Sequence, residues 1–147
     1  MVDWTYKGNV VTSINDMPSD TFGFIYKIIN NKTQEYYIGK KQVISVRKRK
    51  FGKREMAKIT DKRLKKYEMV RKEAKWQTYR SSNSGVKSWF DDRGSDVDLI
   101  ILMYCKTKKE LTYYELQEQV VHKVLLDEKC LNDNILGKFY RKDLFFD

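Results

Sequence analysis

The stretch GFIYKIINNKTQEYYIGKK, Gly23–Lys41, gathers groups that could do chemistry together. The phenols of Tyr26 and Tyr37 can donate hydrogen bonds to water or to phosphate oxygens, and Lys40 and Lys41 add cations beside them. If Asn31 and Lys32 form a two-residue turn, Tyr26 stands directly opposite Tyr37, with Cβ atoms roughly 4.5–5.5 Å apart. The same pairing is an ordinary way to stabilise a sheet, so the two rings alone assign no reaction.

Acidic and metal-ligating residues are sparse. In the segment after Thr107, Leu111, Tyr114, Val121 and Leu125 mark the buried arc of a helix, and Glu115 and Glu118 fall within or beside it. A carboxylate there needs a partner, because an unpaired buried charge is costly. The single histidine, His122, lies two turns beyond Glu115 on the same helix and reads as a satisfied, partly buried side chain. One histidine and two distant cysteines, Cys105 and Cys130, exclude a structural zinc site and a disulfide framework.

Thirty Lys and Arg oppose twenty Asp and Glu over 147 residues, a formal charge of +10. That surplus fits a polyanionic partner, most often nucleic acid. No apolar run approaches the ~20 residues that span a bilayer, and MVDWTYKGNV lacks the apolar stretch of a signal peptide, so no membrane partner is expected. The expected compartment is reducing: the cytoplasm of a bacterium or of a phage-infected cell.

The elements that must position these groups follow from periodicity. Residues 1–20 read as a polar N-terminal arm. Phe22, Phe24, Tyr26 and Ile28 share one face of a first strand, and residues 35–39 return as a second. Residues 40–54 are dense in Lys and Arg, and Met56, Ile59, Tyr67, Val70 and Ala74 are spaced for one face of a basic helix over 55–74. WQTYRSSNSG is a loop, and VKSWFDDRG is a short helix ended by Gly94. VDLIILMYC has the length and continuous apolarity of a central, doubly covered strand. Thr107 and Glu110 form a capping box for a helix reaching about Asp127, and residues 132–147 close over the core. The expected fold is one compact α+β domain over 1–147: a small central sheet, built from an N-terminal antiparallel hairpin plus a third central strand, flanked by helices.

Phe24-Ile25-Tyr26, followed after a short interval by Tyr37-Ile38-Gly39, resembles the signature of the GIY-YIG nuclease superfamily. Phe24 occupies the place of the first motif glycine, and Gly23 precedes it. The family carries an arginine about ten residues after its second tyrosine. Arg47 stands there, with Arg49 as a competitor, and Phe51 lies near where a histidine or tyrosine often follows. WQTYRSS at 76–82 resembles the W-x-x-Y-x-G-S-S loop of phage-type members and related restriction enzymes, with Ser81 in place of glycine. YYE at 113–115 resembles the segment bearing the family's single acidic metal ligand, and NDNILGKFYR resembles its closing motif.

The resemblance implies a metal-dependent DNA endonuclease. Glu115 would hold one Mg²⁺ or Mn²⁺, with Glu118 as runner-up. Tyr26 would act on the attacking water, Arg47 would grip the scissile phosphate, and Tyr37 would hold water or phosphate. Asn132, or Asn134 two residues on, would order the site. A phenol ionises near pH 10, so Lys40, Lys41 and Arg47 are expected to provide a cationic field at Tyr26. Lys40, Lys41, Arg49, Trp76, Tyr79, Ser81 and Ser82 would line the path of the nucleic acid. The implied substrate is double-stranded DNA, cut by a stand-alone phage or restriction-type enzyme. Double-strand cleavage by one site per chain suggests a homodimer. A non-catalytic nucleic-acid binder with the same fold, or an RNA-cleaving member, is the alternative.

Overall fold

Why the tyrosines end up together is a matter of strand order. The computed structural model describes residues 2–61, 63–92 and 96–144. Among these, nine strands and three α-helices follow in chain order. The strands are β1 (Trp4–Tyr6), β2 (Asn9–Val11), β3 (Gly23–Asn30), β4 (Tyr36–Gln42), β5 (Ile44–Lys50), β6 (Tyr67–Glu73), β7 (Val97–Cys105), β8 (Asn134–Ile135) and β9 (Phe139–Tyr140). The helices are α1 (Lys53–Ala57), α2 (Ser84–Trp89) and α3 (Lys108–Val121). The central sheet is mixed, in the order β2-β1-β7-β3-β4, so the fold is α+β as expected. The apolar run β7 lies inside it, antiparallel to β3 and parallel to β1.

Each sheet face has its own apolar layer. Trp4, Phe24, Tyr26, Ile28, Leu99 and Ile101 pack on one side with Trp76, Val86 and Trp89, the last two from α2. Ile25, Ile38 and Cys105 pack on the other with Leu111 of α3 and with Val124 and Leu125 beyond it. Phe22 belongs to this second layer: it precedes β3 and packs opposite Phe24, against the expected common face. Between Ile25 and Tyr26 the β3–β7 register shifts, pairing Ile25 with Met103 and Tyr26 with Ile101. This bulge re-aims the chain beside the motif tyrosine, a common position for such an irregularity.

Three expectations are corrected. The N-terminal residues are not an arm: Trp4 is 1% exposed, and β1 and β2 complete one edge of the sheet. The basic segment is not a helix over 55–74. The basic segment instead forms a two-stranded antiparallel ribbon, β5 with β6, and the short helix α1 lies between them. The hairpin turn is longer than two residues. Asn30 N–H donates to Glu35 O at 2.8 Å, the Asn30 side chain accepts from Lys32 and Thr33 N–H, and Gln34 takes a left-handed φ of 66°.

Helix α3 begins as its sequence dictates. Thr107 Oγ1 accepts from Glu110 N–H at 3.1 Å, while the Glu110 carboxylate reaches Lys106 N–H rather than that of Thr107. The helix stops at Val121, short of the expected Asp127, and Lys123 at φ 53° turns the chain so that Val124 and Leu125 are buried. Val121 itself is exposed, so the inner ridge runs through Leu111, Glu115 and Gln119, spaced four residues apart. The proposed stop at Gly94 lies outside the described residues.

Candidate active site

Tyr26 pairs with Gly39 across the β3–β4 ladder, and Tyr37 pairs with Ile28. The expected Tyr26–Tyr37 register is therefore wrong by one diagonal step, because the turn is longer. The step preserves the face, and the two rings still meet with centroids 6.2 Å apart. Tyr26 is 1% exposed and makes edge contacts with Trp4 at 5.3 Å and Tyr79 at 5.9 Å. Gly39 is glycine because the phenol lies against it: a Cβ there would stand 2.6 Å from the Tyr26 hydroxyl.

The expected cationic field at Tyr26 is not found. Burial first, then the Tyr79 and Tyr37 phenols, push its pKa far above that of a free phenol, and Glu115 adds to the rise. Lys41 Nζ instead sits 4.5 Å over the Tyr79 ring, and Lys40 Nζ donates to Thr112 Oγ1 at 3.1 Å. Tyr26 is thus a neutral phenol, suited to donating a hydrogen bond.

Glu115 projects from α3 into a polar cleft of about 460 Å³ lined by Tyr37, Ser82, Gln119, Asn132 and Asp133, among others. Its side chain is 16% exposed, and its nearest cation, Lys40 Nζ, stands 3.9 Å away. Burial raises the Glu115 pKa, and Lys40 opposes that rise. Glu115 and Tyr37 line this cleft together, and the Glu115 charge adds to the rise of both the Tyr26 and the Tyr37 pKa. Glu118 turns away to His122, whose Nδ1 stands 3.4 Å from its carboxylate.

Asn132, 3% exposed, clamps the edge strand. Its Oδ1 accepts from Ile38 N–H at 3.0 Å, and its Nδ2 donates to Ile38 O at 2.8 Å. Asn134, the competitor, spends its side-chain oxygen on Gly137 N–H in the following turn. Arg141 fastens the segment that carries Asn132, donating to the carbonyls of Val124, Asp127, Cys130 and Asn132 at 2.7–2.9 Å. Sequence reasoning passed over Arg141 and Gln119. The closing motif ending in Arg141, and the four-residue step from Glu115 to Gln119, were the available signals.

The structure separates the two arginines. Arg49 is held by the carboxylates of Glu55 and Glu68, whereas Arg47 is exposed on β5, opposite Val70, and makes no ion pair among the described residues. Two residues of the 76–82 loop do not line an open path. Trp76 is fully buried, donates through Nε1 to Glu73, and accepts at its carbonyl from Trp4 Nε1. Ser81 is 1% exposed and turns its hydroxyl to Asn83 N–H, with φ at 73°, the left-handed region that favours glycine. Tyr79 and Ser82 do reach the site, stacking edge-on against Tyr26 and approaching the Tyr37 phenol respectively.

Residues 4–143 match the family described as "Putative endonuclease segE, GIY-YIG domain". This chain belongs to the GIY-YIG nuclease superfamily. The GIY-YIG match begins at Trp4, so β1 and β2 are part of the matched domain. No curated protein and no solved structure matches the chain. The family is one of endonucleases acting on nucleic acid and generally dependent on a metal ion. Among the described residues, no helix is long and apolar enough to cross a membrane.

Proposed function

We propose that this GIY-YIG domain is a metal-dependent endonuclease that hydrolyses phosphodiester bonds of double-stranded DNA. The observation that carries this reading is the polar cleft that Glu115 and Tyr37 line together, with the Tyr26 ring against that of Tyr37 at 6.2 Å.

The residues of the cleft fit a hard divalent cation. Every polar group named there presents oxygen or amide donors, and Gln119 Oε1 is buried without a hydrogen-bond partner. Among the described residues no group of three His, Cys, Asp or Glu side chains could hold a metal; Glu115 would hold the ion, with water and phosphate completing the shell. Bound at Glu115, Mg²⁺ or Mn²⁺ supplies Lewis-acid neutralisation of charge at phosphorus and at the leaving oxygen.

The chain's own residues do the positioning. Tyr26, held neutral, donates a hydrogen bond that orients the attacking water or the phosphate. Tyr37 holds the same space from β4, with Ser82 beside it. Arg47, free on the ribbon, offers a planar fork to a phosphate. Asn132 fixes the backbone of β4 between Tyr37 and Gly39. The Lys- and Arg-rich ribbon β5–β6, with Lys40 and Lys41, tracks the duplex backbone, giving salt-sensitive affinity with little base information. Two buried free thiols, Cys105 and Cys130, support action in a reducing cytoplasm, bacterial or of an infected cell. A homodimer would let two such sites cut both strands.

Incubating the purified protein with supercoiled plasmid and Mg²⁺, beside Glu115→Gln and with RNA in a parallel arm, tests the proposal. Nicking or linearisation that disappears in the variant is the expected result. Cleavage by the variant at the wild-type rate, or cleavage of RNA alone, overturns it.

A further inference from the structure

Gln119 stands one helical turn beyond Glu115 on the inner ridge of α3, 5% exposed, and lines the same cleft. Its amide cannot be oriented freely. The side-chain Nε2 donates to Ile38 O at 3.1 Å, and a carbonyl accepts only from a donor, so the other end of the amide is fixed as oxygen. That oxygen, Oε1, is buried and has no hydrogen-bond partner. A buried acceptor left unpaired is costly, so its presence on the ridge that carries the cleft's half-buried carboxylate calls for a use.

The use is set by chemistry. An acceptor-only oxygen repels phosphate oxygens and carboxylates and attracts donors. The donors that Glu115 would draw to this position are the water molecules of a divalent cation's hydration shell, since such ions keep several waters when one carboxylate binds them. We infer that Gln119 is a positioning residue for that cation: Oε1 accepts from its hydration shell, while Nε2 on Ile38 O ties the amide to the strand between Tyr37 and Gly39. Glu115 then supplies charge and Gln119 supplies direction, and the cation's place is referred to the same backbone that Asn132 clamps. The inference rests on the reading of Glu115 as the metal ligand.

The test is Mn²⁺ binding to the DNA-free protein, followed by electron paramagnetic resonance, in wild type, Glu115→Gln, Gln119→Met and Gln119→Glu. Both Gln119 variants lose the donor to Ile38, so that loss cancels between them, and they differ in whether an acceptor oxygen remains. Gln119→Met is expected to weaken Mn²⁺ about tenfold, in the range for outer-shell partners, and Gln119→Glu to bind at least as tightly as wild type. Equal weakening in both variants, or wild-type affinity in Gln119→Met, overturns the inference while leaving Glu115 as ligand. Wild-type affinity in Glu115→Gln, or no Mn²⁺ binding by the unmodified protein, removes both readings. Should Gln119→Met fail to fold, the Glu variant decides: affinity below that of wild type overturns the inference.

Discussion

Gly39 faces Tyr26 across the β3–β4 ladder with so little space that a Cβ would fall 2.6 Å from the phenol oxygen and 2.8 Å from Cζ. The motif glycine is therefore a seat for the motif tyrosine, and the two positions are one structural unit. Gly39→Ala must displace the ring, at a cost of about 1–3 kcal/mol for overpacking. We expect a lower thermal midpoint and loss of plasmid cleavage by at least tenfold, measured by calorimetry and gel assay. Unchanged cleavage in the variant would refute the seat.

Tyr26→Phe keeps the ring and removes only the hydroxyl. Cleavage should be lost while the fold and duplex affinity persist. The pH dependence follows from the direction of the shift: a pKa raised above that of free phenol keeps the group protonated through neutral and mildly alkaline pH. A donor of this kind gives no titration of the cleavage rate attributable to Tyr26 between about pH 6 and 10. A rate that climbs across that window in wild type, and loses the climb in a variant with residual activity, would indicate a phenolate base.

Arg47 and Arg49 should part company on mutation. Arg47→Ala removes a guanidinium that makes no ion pair among the described residues, so cleavage should fall at least a hundredfold with the melting temperature unchanged. Arg49→Ala breaks a junction between β5, α1 and β6, and should instead lower duplex affinity and hasten proteolysis of the ribbon. The opposite pattern in gel-shift, cleavage and limited-proteolysis assays would exchange their roles.

Outside the cleft lining, the Tyr36 hydroxyl donates to Asp127 Oδ2 at 2.5 Å, and that bond, with Lys129 N–H, holds the Asp127 carboxyl below its usual range. A depressed native pKa means that the unfolded chain binds the proton more tightly, so stability from this group is present above the ordinary carboxylate pKa and is lost as pH falls through the native one. Asp127→Asn should lower the thermal midpoint at pH 7 and narrow its gap to wild type below about pH 3. Parallel midpoint curves across that range would show that the pair contributes nothing.

The parts legible in the sequence were those whose pattern and environment agree. β7 is apolar along its length and lies within the sheet, and α3 is announced by Thr107 and Glu110. The ribbon β5–β6 was not legible. It forms a sheet of its own, the four consecutive cations Arg47 to Lys50 hide the period-two pattern of Ile44 and Val46, and Met56, Ile59, Tyr67 and Val70 mimic a helical period by chance. β1 and β2, three residues each, are too short for any period to appear, and the pairing of β1 with β7 and of β2 with β1 makes them strands. At the site, the sequence pointed to Tyr26 and Tyr37, whose rings meet, whereas burial removed Trp76 and Ser81 from any open path. The pairing of Tyr26 with Gly39 depended on a turn whose length Asn30 sets through its side chain.

The clamp of Asn132 on Ile38 reaches beyond catalysis. β4 is the outermost strand on its side of the sheet, and such a margin is an invitation to a second chain seeking backbone partners. At Ile38 that invitation is withdrawn, since Asn132 occupies both the N–H and the carbonyl, and residues 129–131 cover Tyr36 beside it. An asparagine that lines the cleft thereby also closes the sheet margin to a further strand at Ile38.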